Sequence, residues 1–396
     1  MKVSDFNLRH LRALAAAVRS GSIGGAATAV GISQPAVTQA IARLEATTGA
    51  RLFERTPTGV VPTDAAILLG ARGDGAAQII AGGFGPARKG GIAAAPGAAE
   101  AVTMAQMTAL LALADGGSYA AAAAASGLSQ PSLHRAVKDL ERLCAVPLAR
   151  RSGRGVVVTE AGQSLARAFR LAFAELQAAL DELAILAGRD QGRIRIGVDP
   201  SLVDRMIGPA VANFLKEHPP VTIEVVAMGR ADGLESVREG RLDGLVTIGP
   251  ESAPGLTVEA LGNDPLSIVA RAGHKLAGAA APGLARLASF GWAVGPEGSD
   301  DRSAWERMFL DGGLYPPAPS VTCPSLPALI QLAAASDLLT IAPAALIGKA
   351  GAIAAVGSPL QPARQIVLAT RAGWAPSPAQ ATFLDELRGG AARTRF

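Results

Sequence analysis

The sequence predicts a multidomain protein, helix-rich in its first half and alternating α/β in its second, with one long helix between. Three observations carry that prediction. A short motif at Gly31 recurs at Gly127, an apolar heptad pattern without breakers runs from Thr159 to Ala187, and strand and helix patterns alternate from Arg193 onward. At roughly 100–200 residues per domain, 396 residues leave room for several domains, each able to bury a core. Apolar residues make up 49% of the chain, charged residues 18%, and the net charge is +4, a balance of packed domains rather than disorder. Cys144 and Cys323 supply neither a disulfide framework nor a CxxC pair. The start, Met1-Lys2-Val3-Ser4-Asp5, leads into charged residues, and the longest apolar run, Leu338 to Gly348, is too short for a bilayer. A cytoplasmic protein without a membrane partner is therefore expected. All the excess positive charge lies in residues 1–190, which suits a polyanion partner for that half and another task for the rest.

The repeat organises the first half. Gly31-Ile32-Ser33-Gln34-Pro35 returns as Gly127-Leu128-Ser129-Gln130-Pro131. The same displacement pairs Leu44-Glu45 with Leu140-Glu141, Arg55 with Arg151, Gly59-Val60-Val61 with Gly155-Val156-Val157, and Thr63 with Thr159. An Ala-rich composition does not explain matches at Ser, Gln, Pro, Glu, Arg and Thr, so a module is duplicated. In the first copy Leu8, Leu11, Leu14 and Val18 recur at helical spacing, Gly21-Ser22 breaks the helix, and Ala26 to Val30 forms a short second one. Ser33 then caps a third helix with Pro35 in its first turn, where a missing N–H costs nothing. Val37, Ile41 and Leu44 make its inner stripe. Arg51-Leu52-Phe53 and Gly59-Val60-Val61 flank a Pro57-Thr58-Gly59 turn and read as a small β-wing. The second copy repeats the plan through Met107, Leu110, Leu111 and Ala114, the run Ala120 to Ala125, a helix from Ser129 to Leu143, and a wing through Arg150 to Arg154.

Two short helices around a turn, followed by a basic wing, make a winged helix-turn-helix, whose third helix reads base edges in the major groove. Gln pairs bidentately with adenine and Arg with guanine. The expected DNA contacts are Ser33, Gln34, Thr38, Gln39, Arg43 and Arg55 in copy one. In copy two they are Ser129, Gln130, His134, Arg135, Lys138, Arg151 and Arg154. The wing arginines hold phosphates or enter the minor groove. The bland alternative for Ser-Gln-Pro is a capped helix start with a solvated polar face; its duplication, each time before a basic wing, favours double-stranded DNA.

The segments "ISQPAVTQAIARLE" and "LSQPSLHRAVKDLE", with the wings "FERTPTGVVPTDAA" and "ARRSGRGVVVTEAG", resemble the LysR-type transcriptional regulators. The phrase "GRIRIGVDPSLVDRMIGPAVANFLKEHPPVTIEVV" continues that resemblance through the second half. The resemblance implies an effector-binding domain with the two-lobed fold of periplasmic type 2 binding proteins, a small-molecule effector, and a homodimer or homotetramer. RNA polymerase is a further partner it allows. The chain departs from the pattern by its extra N-terminal module.

The expected division is copy one over 4–66, a degraded linker over 67–102, copy two over 103–162, a dimerising helix over 159–188, and the two-lobed domain over 191–396. Asp64 to Leu69 starts a helix in register with Glu160 to Leu165, but Gly70, Gly73, Gly75, Gly82, Gly83 and Gly85 read as breakers beyond it. Copy one is therefore expected to hang from a flexible tether, free to reach a neighbouring site or to fold against its own chain, with copy two dominating specificity. Phe169, Phe173, Leu176, Leu180 and Leu183 form a heptad seam, which the resemblance makes an inter-chain contact. A second lobe is expected near Pro265, with crossover strands near 262–267 and 338–343. Ligands of open α/β sheets bind beyond strand C-termini, so fold analogy nominates Ser201, Thr247, Gly249, Ser299, Arg302 and Ser325, with a small organic acid as effector.

An enzyme is the rival class. His10, His134, His218 and His274 are scattered, and neither HExxH nor GxSxG is present. No catalytic residue, cofactor or metal is expected. The alternative function is a ligand-independent architectural DNA-binding protein, which needs no two-lobed binding domain.

Overall fold

The computed structural model describes residues 2–56, 59–84, 96–153, 155–188, 192–249, 252–347 and 351–393. Side-chain oxygens of Asn7, Ser22 and Ser33 accept N-terminal N–H groups and start α1 (Leu8–Ser20), α2 (Ile23–Val30) and α3 (Gln34–Thr48). Each helix stops at a left-handed glycine, Gly21, Gly31 and Gly49. Strands β1 (Phe53–Thr56) and β2 (Gly59–Pro62) pair antiparallel as the wing, and Thr63 caps α4 (Asp64–Gly83).

The second module follows the same order with α5 (Ala98–Ala101), α6 (Met104–Gly116), α7 (Tyr119–Ser126), α8 (Gln130–Cys144), β3 (Ala149–Ser152), β4 (Gly155–Val158) and α9 (Glu160–Leu186). The repeat extends to single hydrogen bonds. Glu45 Oε1 accepts Leu52 N–H at 2.8 Å, and Glu141 Oε1 accepts Leu148 N–H at 2.9 Å. The repeated Leu-Glu therefore ties the recognition helix to the start of its wing.

Two expectations are corrected between the modules. Residues 67–83 of the expected linker continue the helix that starts at Asp64, and copy one is docked, the second of the two arrangements expected for it, rather than swinging on a tether. The glycines are accommodated within the helix, and one of them allows a close approach: a Cβ on Gly83 would lie 2.6 Å from the Ala168 Cβ. Residues 85–95 of the expected linker lie outside the described residues. The seam of α9 is also filled from within the chain. Phe169 and Leu176 are fully buried, Leu180 and Leu183 nearly so, and Phe173 packs against the same core, which runs through both modules and α4. A seam already covered by α4 is not available to a second chain.

Strands β5 (Arg193–Val198), β6 (Thr222–Ala227), β7 (Gly244–Ile248) and β8 (Leu256–Asp264) belong to the first lobe, with α10 (Gly208–Glu217) after β5 and α11 (Arg230–Arg238) after β6. In the second lobe β9 (Leu266–Arg271) is followed by α12 (Leu284–Ala288), β10 (Ala293–Val294), α13 (Asp300–Asp311), β11 (Val321–Thr322), α14 (Leu326–Ala335), β12 (Thr340–Pro343) and β13 (Ile353–Val356). Then β14 (Arg364–Arg371) and α15 (Pro378–Arg393) complete the first lobe, whose five-stranded sheet runs β6-β5-β7-β14-β8. The outward crossover lies between β8 and β9, as expected. The return differs: β12 stays paired with β9 inside the second lobe, and the chain comes back between β13 and β14. Among the described residues, no helix is long and apolar enough to cross a membrane.

The first lobe rests on α9. Arg170 Nη1 lies 3.5 Å from Glu239 Oε2, and Arg167 Nη1 lies 3.4 Å from Glu235 Oε1. Burial at this junction pushes the Asp181 carboxyl up to about 6, against the hydrogen bond it accepts from Gln177. Between its ordinary range and 6 the folded protein holds a proton that the unfolded chain has released. Stability from this group therefore falls as pH rises through that window, and the loss is complete above it. Asp181→Asn should raise Tm relative to the parent at pH 7, and the gain should vanish towards pH 4. A gain independent of pH would contradict this account.

Candidate DNA-reading helices and interlobe cleft

Helix α3 buries Val37, Ala40, Ile41 and Leu44, which leaves Gln34, Thr38, Gln39 and Arg43 exposed on other faces. Gln34, Pro35, Thr38, Gln39 and Ala42 line one shallow hollow with Ile23. Helix α8 buries Leu133, Val137 and Leu140, and exposes Gln130, His134, Arg135 and Lys138. Both helices thus turn a polar face to solvent at the positions expected to read bases.

Ser33 and Ser129 are exposed but spend their hydroxyls as caps, accepting from Ala36 and Ser132 N–H. The Lys138 ammonium is 2.7 Å from Glu141 Oε2, and that carboxylate holds its pKa above the usual lysine range. The His134 ring lies 5.3 Å from the Tyr119 ring. Arg55 on β1 and Arg151 on β3 are exposed on the wings, and Arg154 lies outside the described residues.

A cleft of about 430 Å³ lies between the two lobes. Ser201, Ser299 and Ser325 line it, as do Asp199, Arg230, Asp300, Asp301 and Arg364. Three helices begin at its wall. Gly229 precedes α11, Ser299 caps α13 through Arg302 N–H, and Ser325 caps α14 through Ala328 N–H. Their unpaired N–H groups and positive dipole ends favour an anion there. Arg230 crosses the cleft: its Nη1 donates to Ile248 O at 3.1 Å in the first lobe and lies 3.4 Å from Asp300 Oδ1 in the second.

Three nominated residues fall outside the cleft lining. Thr247 is fully buried and turns its hydroxyl to Ile248 O at 3.3 Å. Gly249 lies against β14, where a Cβ would be 2.5 Å from Val367. Arg302 pairs with Glu306 at 2.6 Å and stacks over Trp305, its guanidinium 4.6 Å from the ring centre. Arg230 and Arg364 are the cations that the sequence reading missed. Arg230 sits at the strand–helix turn after β6, the same signal that nominated Ser201. Nothing in the local sequence marks Arg364, which reaches the cleft only because β14 returns beside β8.

Comparison with known proteins agrees with this architecture. The family described as "LysR substrate binding domain" matches residues 187–392. The family described as "Bacterial regulatory helix-turn-helix protein, lysR family" matches twice, at 8–67 and 104–163. The HTH-type transcriptional regulator GbpR of Rhizobium radiobacter is 28% identical over 246 residues, 61% of this chain and 81% of that protein. The RuBisCO operon transcriptional regulator of Allochromatium vinosum is 32% identical over 213 residues, 54% of this chain and 70% of that protein. The crystal structure of ArgP from Mycobacterium tuberculosis shares the fold, with a TM-score of 0.57 at 20% identity over 72% of this chain and 96% of that one.

Proposed function

The chain belongs to the LysR-type transcriptional regulators, and from that membership we propose a cytoplasmic, sequence-specific binder of double-stranded DNA whose activity a small organic acid modulates. The convergence of three helix N-termini and Arg230 on one interlobe cleft carries the effector part of this reading. An anion seated there competes with Asp300 for Arg230, so occupancy changes how the lobes are held together. The first lobe bears on α9 through Arg167 and Arg170, which links the cleft to the DNA-reading half. RNA polymerase is the partner through which such a regulator acts. A homodimer or homotetramer is built on surfaces other than the α9 seam.

Calorimetric titration of the full chain with a panel of small carboxylates tests the reading, together with the salt dependence of its affinity for selected duplex DNA. One acid should bind and change DNA affinity, and Arg230→Ala should weaken that acid about tenfold or more by removing a charge-assisted hydrogen bond. Silence across the panel, with salt-dependent DNA binding intact, would favour the ligand-independent architectural protein.

A further inference from the structure

The two modules are arranged as an internal pair. Along α4 and α9 the contacts run in opposite directions. Gly83 lies against Leu165 and Ala168, Phe84 against Phe169 with ring centres 6.2 Å apart, and Gly75 near Glu175. Further along, Arg72 bonds to Glu175 at 2.8 Å and also to Glu182. The helices are therefore antiparallel, and they occupy equivalent places in the repeat, each capped by the threonine that follows its wing.

The segments leading into the modules cross over reciprocally. The turn Val3–Asp5, which precedes α1, packs on α9 and α6 of the other module. Its counterpart α5, which precedes α6, packs on α4 and receives the Arg12 guanidinium of α1 on the carbonyls of Ala99 and Glu100, at 2.6 and 2.8 Å. Antiparallel equivalent helices with exchanged leading segments describe a two-fold axis inside one chain.

The two reading faces related by that axis are not the same. Gln34 and Pro35 match Gln130 and Pro131, but Thr38 and Gln39 stand where the second module has His134 and Arg135, and Ala42 stands where it has Lys138. All of these residues except the alanine present polar or cyclic groups, and all are exposed.

We infer that one chain is a complete two-headed DNA reader, with α3 and α8 engaging two half-sites of inverted orientation and unlike sequence. The inference rests on the DNA-reading function proposed above and adds the form of the operator. Glutamine at 39 favours adenine, whereas arginine at 135 favours guanine, so the half-sites differ where these side chains reach. Two chains joined through identical modules would read a palindrome; this chain reads an imperfect inverted repeat without a second copy. Both modules then carry specificity, which replaces the expectation that copy two dominates.

The test is selection of duplexes from a randomised pool by the full-length protein and by the full-length Thr38→His/Gln39→Arg variant. The chain-to-duplex ratio is then measured by sedimentation on the shortest selected DNA. Both substituted positions are exposed, so the fold is retained. The parent should enrich an inverted repeat with unlike halves at one chain per duplex. The variant should enrich a symmetric repeat and bind the parent operator about tenfold or more weakly. A palindrome bound by two parent chains, or an unchanged operator for the variant, would overturn the inference while leaving DNA reading intact. Failure of both proteins to enrich any sequence would overturn the DNA-reading function, and this inference with it.

Discussion

Truncating Phe169 to alanine should lower the unfolding free energy of the full chain by about 3–5 kcal/mol, and by the same amount at every protein concentration. The side chain is fully buried on α9 and meets the Phe84 ring that ends α4. Its removal loses the transfer free energy of the ring and leaves a cavity that two rigid helices fill poorly. The concentration term distinguishes this account from an inter-chain seam, because unfolding coupled to dissociation shifts with protein concentration by mass action. Urea unfolding over a wide range of concentrations provides the measurement. A midpoint that rises with concentration in the parent and loses that dependence in Phe169→Ala would place the seam between chains.

Asp264→Ala should cost a comparable 3–5 kcal/mol, here in the two-lobed domain. The carboxylate is fully buried at the end of β8, where the chain leaves for the second lobe. It accepts from Arg205 Nη1 and Nη2 at 2.8 and 3.0 Å, and from Arg364 Nη2 as well. Both guanidinium groups are more than nine-tenths buried. Without Asp264 the two buried guanidinium groups lose the carboxylate they share, which costs more than replacing the whole ionic cluster by apolar groups. Asp264→Asn should cost nearly as much, because it keeps the shape and removes the charge. Replacing Arg205 by Met in the Asp264→Ala background should recover part of the loss. Urea unfolding followed by circular dichroism reads all three variants. An Asn variant as stable as the parent would mean that shape rather than charge holds the hinge.

Much of this protein is legible from short range. Ser33 and Ser129 cap helices because their hydroxyls reach an N–H a turn ahead, and Gly31 and Gly127 stop helices because the left-handed turn disfavours a Cβ. The wings, the repeat and the strand–helix alternation after Arg193 are equally local, and so are the exposed polar faces of α3 and α8. Such features depend on neighbours within a few residues, which a linear sequence displays directly.

The α9 stripe shows the limit of that reading. Its spacing reveals that Phe169, Leu176, Leu180 and Leu183 need a cover, but an apolar stripe does not name the surface that covers it. The covering helix was hidden because its glycines resemble breakers. An internal glycine costs about 1 kcal/mol of helix propensity, and packing offsets that cost when the missing Cβ lets another helix approach. Gly83 sits against Ala168, where a Cβ would be 2.6 Å from the Ala168 Cβ. The cleft cations follow the same division. Arg302, one turn inside α13, looked available but stacks on Trp305, whereas Arg364 is carried to the cleft by a strand that returns from the other lobe. Local residue chemistry set where helices and strands begin and end; which faces meet was decided by packing between segments far apart in the chain, since burial is shared between partners that sequence spacing does not pair.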